Sequence, residues 1–366
     1  MLRTGVASRG IGRWSMTAVA GAAILAAFLA DVNGQAARAG SVGSYSRVQG
    51  WPQPPPVQNG GPGFGNLTGI AVDAKGLVYA ARRCPGKCGY LTEGAGDPMG
   101  SILVWDPGGR FVREWKDVVH ETHGVYIDRQ GFIWATDIQK HQVKKFRPDG
   151  TVALTLGKYG VRDGTTPDTF NQPTDVVVAG PQNDIFVSDG YGGLCPSKLP
   201  GCDKGTPVTT MRVVKFNRDG KFLKAWGRRG TGPGEFRVPH SIAADSRGRI
   251  YVADRCGRTS EPPCADGRLQ MFDGEGTFLS QWTPPGAGGT FSPFGVRVDN
   301  DDRLYVLDGE SRKVWILDTR NGNTIVGTVD GVGGPSGHHV AVNPQTGGVY
   351  TVELMLGIKH FARGGR

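Results

Sequence analysis

The stretch HGVYIDRQGFIWATD, residues 123–137, decides the fold of this chain. It contains a short apolar strand, a turn with aspartate and glycine, and a second strand ending in an acid, which is typical of a β-hairpin. The first strand returns five more times, as LTGIAVD (67–73), PTDVVVA (173–179), PHSIAAD (239–245), PFGVRVD (293–299) and HHVAVNP (338–344). The chain therefore contains a sixfold repeat.

The second strand of each copy ends in an acid or its replacement. These strands are LVYAAR (77–82), IWATD (133–137), IFVSD (185–189), IYVAD (250–254), LYVLD (304–308) and VYTVE (349–353). A third and, in most copies, a fourth β-type segment follow. Since one such sheet cannot bury both faces alone, radial stacking of the copies predicts an all-β protein, a six-bladed β-propeller.

The first and last segments of the chain fit a propeller that closes on itself and is preceded by a signal peptide. The sixth copy lacks an outer strand, and SYSRVQGW (44–51) is expected to supply it from the N-terminal side. We expect residues 1–39 to be a signal peptide, 40–64 a closing strand with a Pro/Gly-rich connector, and 65–366 the propeller. The 59 glycines and 24 prolines agree with many tight turns between short strands.

The N-terminus has the pattern of a secretory signal. Arg3, Arg9 and Arg13 precede an apolar run at 16–30, and Ala-Arg-Ala follows at 37–39. A membrane-spanning helix usually needs about twenty apolar residues, so an uncleaved anchor is the alternative. We therefore expect a secreted or periplasmic protein.

The net charge of +9 is modest and spread along the chain without a basic block. It argues only weakly for nucleic acid as a partner, and export argues further against it. No later segment is expected to meet a membrane. The sequence carries no signal for an oligomeric state.

The six cysteines fall in three close pairs: Cys84 with Cys88, Cys195 with Cys202, and Cys256 with Cys264. In an exported chain local disulfides are the expected interpretation, although six cysteines allow fifteen connectivities. A thiolate metal cluster is the alternative, but no histidine lies inside these loops.

Three histidines occupy one equivalent position on alternate copies of the repeat: His123, His240 and His338. The intervening copies carry Thr68, Thr174 and Phe294 there. In a closed ring the three imidazoles converge on the axis from directions roughly 120° apart, which suits one zinc ion with an open fourth position. The alternative is a set of structural histidines satisfied by backbone carbonyls.

Three further residues are candidates for catalysis. Arg82 stands where four copies have aspartate and one has glutamate, which indicates a bound anion; a salt bridge, or Arg83 in its place, is the alternative. Arg255 follows IYVAD, and a pair of guanidinium groups suits a carboxylate. Tyr191, in SDGY, is the candidate general base or else a packing residue. A phenol titrates near 10 and needs nearby positive charge to act at neutral pH.

On these motifs the chain resembles the NHL-repeat propellers, and more specifically the peptidyl-α-hydroxyglycine α-amidating lyases. The resemblance runs from about residue 65 to the C-terminus and rests on HGVYIDRQGFIWATD, QPTDVVV, VSDGY, VPHSIA and VADR, in that order. It implies that the three alternate histidines bind zinc and that Arg82, Tyr191 and Arg255 serve the reaction. The implied reaction cleaves a C-terminal α-hydroxyglycine into an amide and glyoxylate, with Tyr191 as base and an arginine on the carboxylate.

The sequence departs from that family beside the third histidine. The family has an acid directly after it, which binds a structural calcium together with two backbone carbonyls; here His339 stands there, and Ser336 replaces a methionine. This argues against calcium at the carbonyls of Ile70 and Val125 without excluding it. The cysteine loops are expected to reshape the mouth around the substrate.

Three functions are compatible with the sequence. The first is an exported zinc lyase acting on a small molecule or peptide that carries a carboxylate. The second is a non-catalytic NHL propeller used as a binding or scaffold module. The third is a lactonase-like metal-dependent hydrolase, which uses carboxylate and asparagine ligands around calcium. The three-histidine pattern favours the first.

Overall fold

The computed structural model describes residues 41–56, 63–83, 100–191, 210–256, 267–287, 289–333, 337–354 and 356–365. The chain divides into two compact units, Met1–Ser41 and Val42–Arg366. The expected signal peptide lies outside the described residues. The described ranges contain β-strands and turns but no helix, and hence none that could cross a bilayer.

The strands form six four-stranded sheets, which confirms the predicted all-β six-bladed propeller. Blade 1 contains β2 (Leu67–Val72), β3 (Val78–Arg82), β4 (Gly100–Trp105) and β5 (Phe111–Val119). Blade 2 contains β6 (Thr122–Ile127), β7 (Ile133–Asp137), β8 (Gln142–Phe146) and β9 (Val152–Leu156). Blade 3 contains β10 (Pro173–Ala179), β11 (Asp184–Asp189), β12 (Arg212–Phe216) and β13 (Phe222–Trp226).

The second half of the ring repeats this order. Blade 4 contains β14 (Pro239–Ala244), β15 (Ile250–Asp254), β16 (Arg268–Phe272) and β17 (Phe278–Trp282). Blade 5 contains β18 (Pro293–Val298), β19 (Arg303–Asp308), β20 (Lys313–Asp318) and β21 (Thr324–Asp330). Blade 6 contains β22 (Gly337–Val342), β23 (Val349–Glu353), β24 (Gly357–Arg363) and β1 (Tyr45–Arg47).

The ring closes between the last blade and the first. The inner strand β22 contacts the inner strand β2, and Leu67 and Trp105 of blade 1 pack in one core cluster with Tyr350 and Val352 of blade 6. The outer strand of blade 6 comes from the N-terminal side, because β1 pairs antiparallel with β24.

Burial falls from the inner strands to the outer ones. The strand β3 is buried at every position, whereas the outer strand β13 alternates between intermediate and exposed positions. The apolar cores lie between neighbouring sheets: Tyr79 and Ile102 of blade 1 pack in one cluster with Ile133 and Phe146 of blade 2. Removal of both faces of each sheet from water is what stabilises the radial arrangement.

In four of the six blades, the hairpin joining the two inner strands depends on the aspartate that ends the first strand motif. In blade 2, Asp128 Oδ1 accepts the backbone N–H groups of Gln130 (2.9 Å) and Phe132 (3.0 Å). Gly131 takes a φ of +85° in this turn, a conformation that glycine adopts without a steric cost. The aspartate–glycine pattern in the sequence therefore fixes the turn at one end of the axis.

Candidate metal centre

Every inner strand has an irregular register at the repeat position of the histidines. In β14, for example, the pairing passes from Pro239–Asp254 to Ser241–Ala253 and skips His240. A bulge of this kind re-aims side chains that an ideal strand would send to opposite faces. Two successive layers of side chains therefore reach the axis, one at the histidine position and one at the next residue.

In the first layer, His123, His240 and His338 form a triangle with equal sides. Each pair of ring centroids is 4.7 Å apart. The relative exposures are 0%, 0% and 2%, so the cluster is shielded from water. The structure thus brings together the three histidines that the repeat placed at one position.

Each ring is held by a carbonyl of the following blade. The Nδ1 atoms of His123, His240 and His338 lie 2.8, 2.6 and 2.7 Å from the carbonyl oxygens of Thr174, Phe294 and Thr68, respectively. A carbonyl only accepts, so each Nδ1 donates and each Nε2 carries the lone pair. The Nε2 atoms of His123 and His240 are buried without a hydrogen-bond partner among the described residues.

The protonation state suits metal binding. Burial lowers the pKa of all three histidines well below its usual range, and neighbouring imidazoles and the charges of Arg83 and Arg255 lower it further. The rings are therefore neutral near pH 7, and a neutral imidazole is the form that binds a metal. Nitrogen donors in this number suit zinc and other transition metals rather than calcium.

Tyr191 and Arg255 lie beside the triangle at the end of the axis where the inner strands begin, which we call the mouth. Tyr191 follows the end of β11 and is buried, with its ring centroid 4.6 Å from that of His123 and 5.7 Å from that of His240. The guanidinium carbon of Arg255 lies 5.6 Å from the Tyr191 ring centroid and 4.8 Å from that of Phe294. A phenol and a cation are therefore adjacent to the histidines.

The two neighbouring arginines of blade 1 point in different directions. Arg82 turns outward within its own sheet, where its Nε donates to Ser101 Oγ (3.1 Å) and its guanidinium pairs with Glu114. Arg83, the alternative in the sequence, is buried and pairs with Glu121 at 2.9 Å. Its charge lowers the pKa of the nearby histidines. Arg83 thus lies near enough to the histidines for its charge to affect them, whereas the contacts of Arg82 lie within its own sheet.

The described part of the chain includes one of the six cysteines, Cys256. Five of the six cysteines, and the long excursions that contain them, lie outside the described residues. Cys256 is described, and its Sγ lies 3.5 Å from Ser292 Oγ. The pairing of Cys84, Cys88, Cys195, Cys202, Cys256 and Cys264 stays a prediction.

A fourth histidine belongs to the cluster. His339 has no solvent exposure, and its ring centroid lies 5.2–5.6 Å from those of the other three. Nitrogen atoms of His123, His338 and His339 lie within 4.8 Å of one another. The sequence predicts His339 to be a structural or surface residue outside the shared histidine position, standing in place of an acid. The doublet at 338–339, read together with a bulge, is the signal that it belongs to the site.

The second layer holds a buried ion pair instead of a calcium site. Arg297 binds both oxygens of the fully buried Asp175 (2.7 and 3.2 Å) and donates to the carbonyl of Val125 at 2.9 Å. Ser241 Oγ also donates to Asp175, at 2.7 Å. The carbonyl oxygen of Val125 therefore already accepts a hydrogen bond from the Arg297 guanidinium, and His339 supplies no carboxylate ligand. This donor set does not fit calcium.

A cavity of about 630 Å³ lies at the opposite end of the axis. It is lined by the turns after the inner strands, including Asp128, Asp245 and Asp299, with Arg297 among its residues. None of the four clustered histidines lines it. This cavity is therefore separate from the histidine cluster.

The fold and the buried histidines define a class of protein: a six-bladed propeller of NHL type with nitrogen donors that can hold a metal on its axis. The NHL repeat profile matches residues 236–258, in blade 4. NHL repeat-containing protein 3 of Mus musculus is 30% identical over 305 residues, covering 78% of this chain and 76% of that protein. The chain belongs to the family of NHL repeat proteins.

Two more similarities add detail. Peptidyl-alpha-hydroxyglycine alpha-amidating lyase 2 of Drosophila melanogaster is 27% identical over 314 residues, covering 80% of this chain and 69% of that protein. A gluconolactonase structure from Xanthomonas campestris superposes with a TM-score of 0.54 at 16% identity, covering 82% of this chain and 86% of that one. At that identity the second similarity concerns the fold alone.

Proposed function

We propose that this protein is a zinc-dependent carbon–nitrogen lyase of the amidating type. It cleaves a C-terminal α-hydroxyglycine to an amide and glyoxylate. The observation that carries the proposal is the equilateral triangle of buried, neutral imidazoles, each fixed at Nδ1 so that its lone pair is on Nε2. Similarity to an amidating lyase over most of the chain supports the same reaction.

His123, His240 and His338 would hold the zinc. When bound, zinc supplies a Lewis acid that polarises an oxygen of the substrate. The carbonyls of Thr174, Phe294 and Thr68 set the tautomer and orientation of the rings, a role that outer partners commonly have in metal sites. Pre-set rings need no rearrangement on binding.

Tyr191 and Arg255 would carry the proton and the charge of the reaction. Tyr191 Oη, in its phenolate form, accepts the proton of the substrate hydroxyl. The electron pair of that O–H bond forms the C=O bond of glyoxylate, the C–N bond breaks, and the amide nitrogen takes up the proton that Tyr191 accepted, which restores the phenolate. No electron acceptor is needed. Arg255, whose charge lies beside Tyr191, binds the substrate carboxylate. Arg83 is the second cation for that carboxylate, in place of Arg82.

We also propose that the mature chain acts outside the cytoplasm with its cysteines paired locally. The basic and apolar N-terminus and the three close cysteine pairs support this. N-terminal sequencing of the protein from its native host, with a thiol count under denaturing conditions, tests both points. Retention of residues 1–39, or six titratable thiols, would contradict them.

The purified protein should release glyoxylate and benzamide in equal amounts from N-benzoyl-α-hydroxyglycine. Tyr191→Phe should keep stoichiometric zinc and lose roughly 10²- to 10⁴-fold in kcat, the usual range for loss of a general base. Tyr79→Phe is the matched control, since Tyr79 Oη donates a 3.4 Å hydrogen bond to Asp73 at the other end of the blade. Full activity of Tyr191→Phe, or no turnover by a zinc-loaded wild type, would refute the proposal.

A further inference from the structure

We propose that His339 is a fourth nitrogen donor to the metal centre, approaching along the axis from the interior of the propeller. The inference rests on the proposed metal site and goes beyond it. A substrate oxygen would then complete the coordination from the side of Tyr191. The centre would contain four imidazoles rather than three.

The first argument is position. The ring centroid of His339 is 5.5 Å from that of His123, 5.6 Å from that of His240 and 5.2 Å from that of His338. A point nearly equidistant from the corners of an equilateral triangle lies close to the axis through its centre. His339 follows His338 along β22 and so lies deeper in the channel, whereas Tyr191 approaches from the mouth. The two side chains therefore face the triangle from opposite sides.

The second argument is the missing hydrogen bonds of this side chain. Both ring nitrogens of His339 are buried without a hydrogen-bond partner among the described residues. A neutral imidazole has one donor and one acceptor, and burying both without partners is costly. A metal ion satisfies the lone pair and removes half of this cost.

The carboxylate nearest to His339 does not satisfy it. Nδ1 of His339 lies 4.0 Å from Asp175 Oδ2, beyond hydrogen-bond distance. Asp175 is already held by Arg297 (2.7 Å), Ser241 (2.7 Å) and the backbone N–H of Ile242 (3.2 Å). The carboxylate nevertheless favours the tautomer with a proton on Nδ1, which leaves the lone pair of His339 on Nε2, as in the other three rings.

The third argument is space. At the repeat position of His339, three other blades carry glycine: Gly69, Gly124 and Gly295. A Cβ added to Gly295 would lie 3.0 Å from the Cα of His339, and one added to Gly124 would lie 2.7 Å from Asp175 Oδ1. The absence of side chains on these blades lets one imidazole occupy the axis.

The direct test counts imidazoles on the wild-type protein. X-ray absorption of the zinc-loaded protein should fit four imidazole ligands, and a fit to three would overturn the inference. Cobalt(II) gives a second readout, because four-coordinate tetrahedral cobalt absorbs more strongly in the visible than five-coordinate cobalt. With four imidazoles and a water on the side of Tyr191, the wild-type centre would be five-coordinate. His339→Phe would leave three imidazoles and the water, so it should raise the visible absorption of the cobalt protein. It should also lower zinc affinity roughly tenfold or more, measured by chelator competition.

The outcomes separate this inference from the proposed function. If the wild type binds neither zinc nor cobalt, the metal centre itself fails. If it binds both, and His339→Phe leaves the spectrum and affinity unchanged, only the fourth donor fails and the three-histidine site stands. His360→Phe is the matched control, because His360 stacks on Tyr350 away from the cluster and should change neither readout. The X-ray absorption measurement decides the question even if His339→Phe does not fold.

Discussion

Two groups of buried polar side chains on the propeller axis, the histidine cluster and the pair of Asp175 with Arg297, differ in whether the protein supplies their partners. In the first layer, His123 and His240 have buried nitrogens without hydrogen-bond partners among the described residues. At the next repeat position, His339 lacks partners in the same way and belongs with that cluster. Asp175 shares this second position, but Arg297, two residues past that position on β18, binds both of its oxygens and the carbonyl of Val125. Buried nitrogens without partners need a ligand from outside, whereas the closed ion pair needs none.

This difference makes the histidine cluster the place for function and the Asp175–Arg297 pair a part of the scaffold. Buried polar groups without partners are costly, and a structure that keeps them usually completes them with a ligand. Breaking a closed buried ion pair costs stability instead. Substitutions in the histidine cluster should therefore change the metal content. Substitutions in the ion pair should change the free energy of unfolding.

The largest effect is expected from the first layer. His240→Ala should abolish stoichiometric zinc binding and glyoxylate release, because it removes one corner of the triangle. The fold should remain, since the core lies between the sheets. Elemental analysis after dialysis measures the zinc, with His360→Ala as control. Retained zinc in His240→Ala would remove His240 from the site.

In the second layer, Asp175→Ala should lower the free energy of unfolding by about 3–5 kcal/mol, because it leaves the Arg297 guanidinium buried and unpaired. The loss should be the same with and without zinc in denaturant titrations. Asp330→Ala is the control, since that carboxylate is exposed and pairs with Lys313 and Thr328 at the surface. A loss that disappears when zinc is removed would mean that the two layers are not separable.

A smaller effect should come from a histidine outside both layers. Burial, with help from Arg162 and Lys140, lowers the pKa of His141 from 6.5 to about 3. Its stabilising contribution is present above pH 6.5 and is lost as the pH falls towards 3, because the unfolded chain takes up the proton first. Between pH 7 and pH 4.5 the wild type should lose about 2–3 kcal/mol relative to His141→Asn.

Asparagine is the suitable replacement, because residue 141 has a φ of +58° and asparagine tolerates that conformation. Urea unfolding of both proteins at several pH values measures the difference. A constant difference across that range would show that His141 does not titrate at a lowered pKa.

The last prediction is that calcium does not change the thermal stability of the protein. Because Arg297 already binds the carbonyl of Val125, a calcium-selective chelator should leave Tm unchanged in the zinc-loaded protein. Added calcium should not raise Tm in the apo protein either. A calcium-dependent rise would reveal a site that the second layer does not account for.

Much of this could be predicted from residue patterns. The repeat predicted the ring, and the shared position of His123, His240 and His338 predicted their convergence. Two facts could not be predicted in the same way. Arg82 and Arg83 are adjacent in the chain, so which of them stays within its blade depends on local backbone geometry. His339 reaches the axis because of a bulge, and the His338–His339 doublet indicates this only once the bulge is known.

The sequence alone determined which groups repeat around the ring: two inner strands in every copy, an aspartate turn between them in four copies, and a histidine on alternate copies. That information is local, because periodicity and turn chemistry act over a few residues. Only the tertiary structure decided which groups meet across the ring. Asp175 and Arg297 are 122 residues apart, and their pairing, like the position of His339 over the triangle, exists only once the blades close around a common axis.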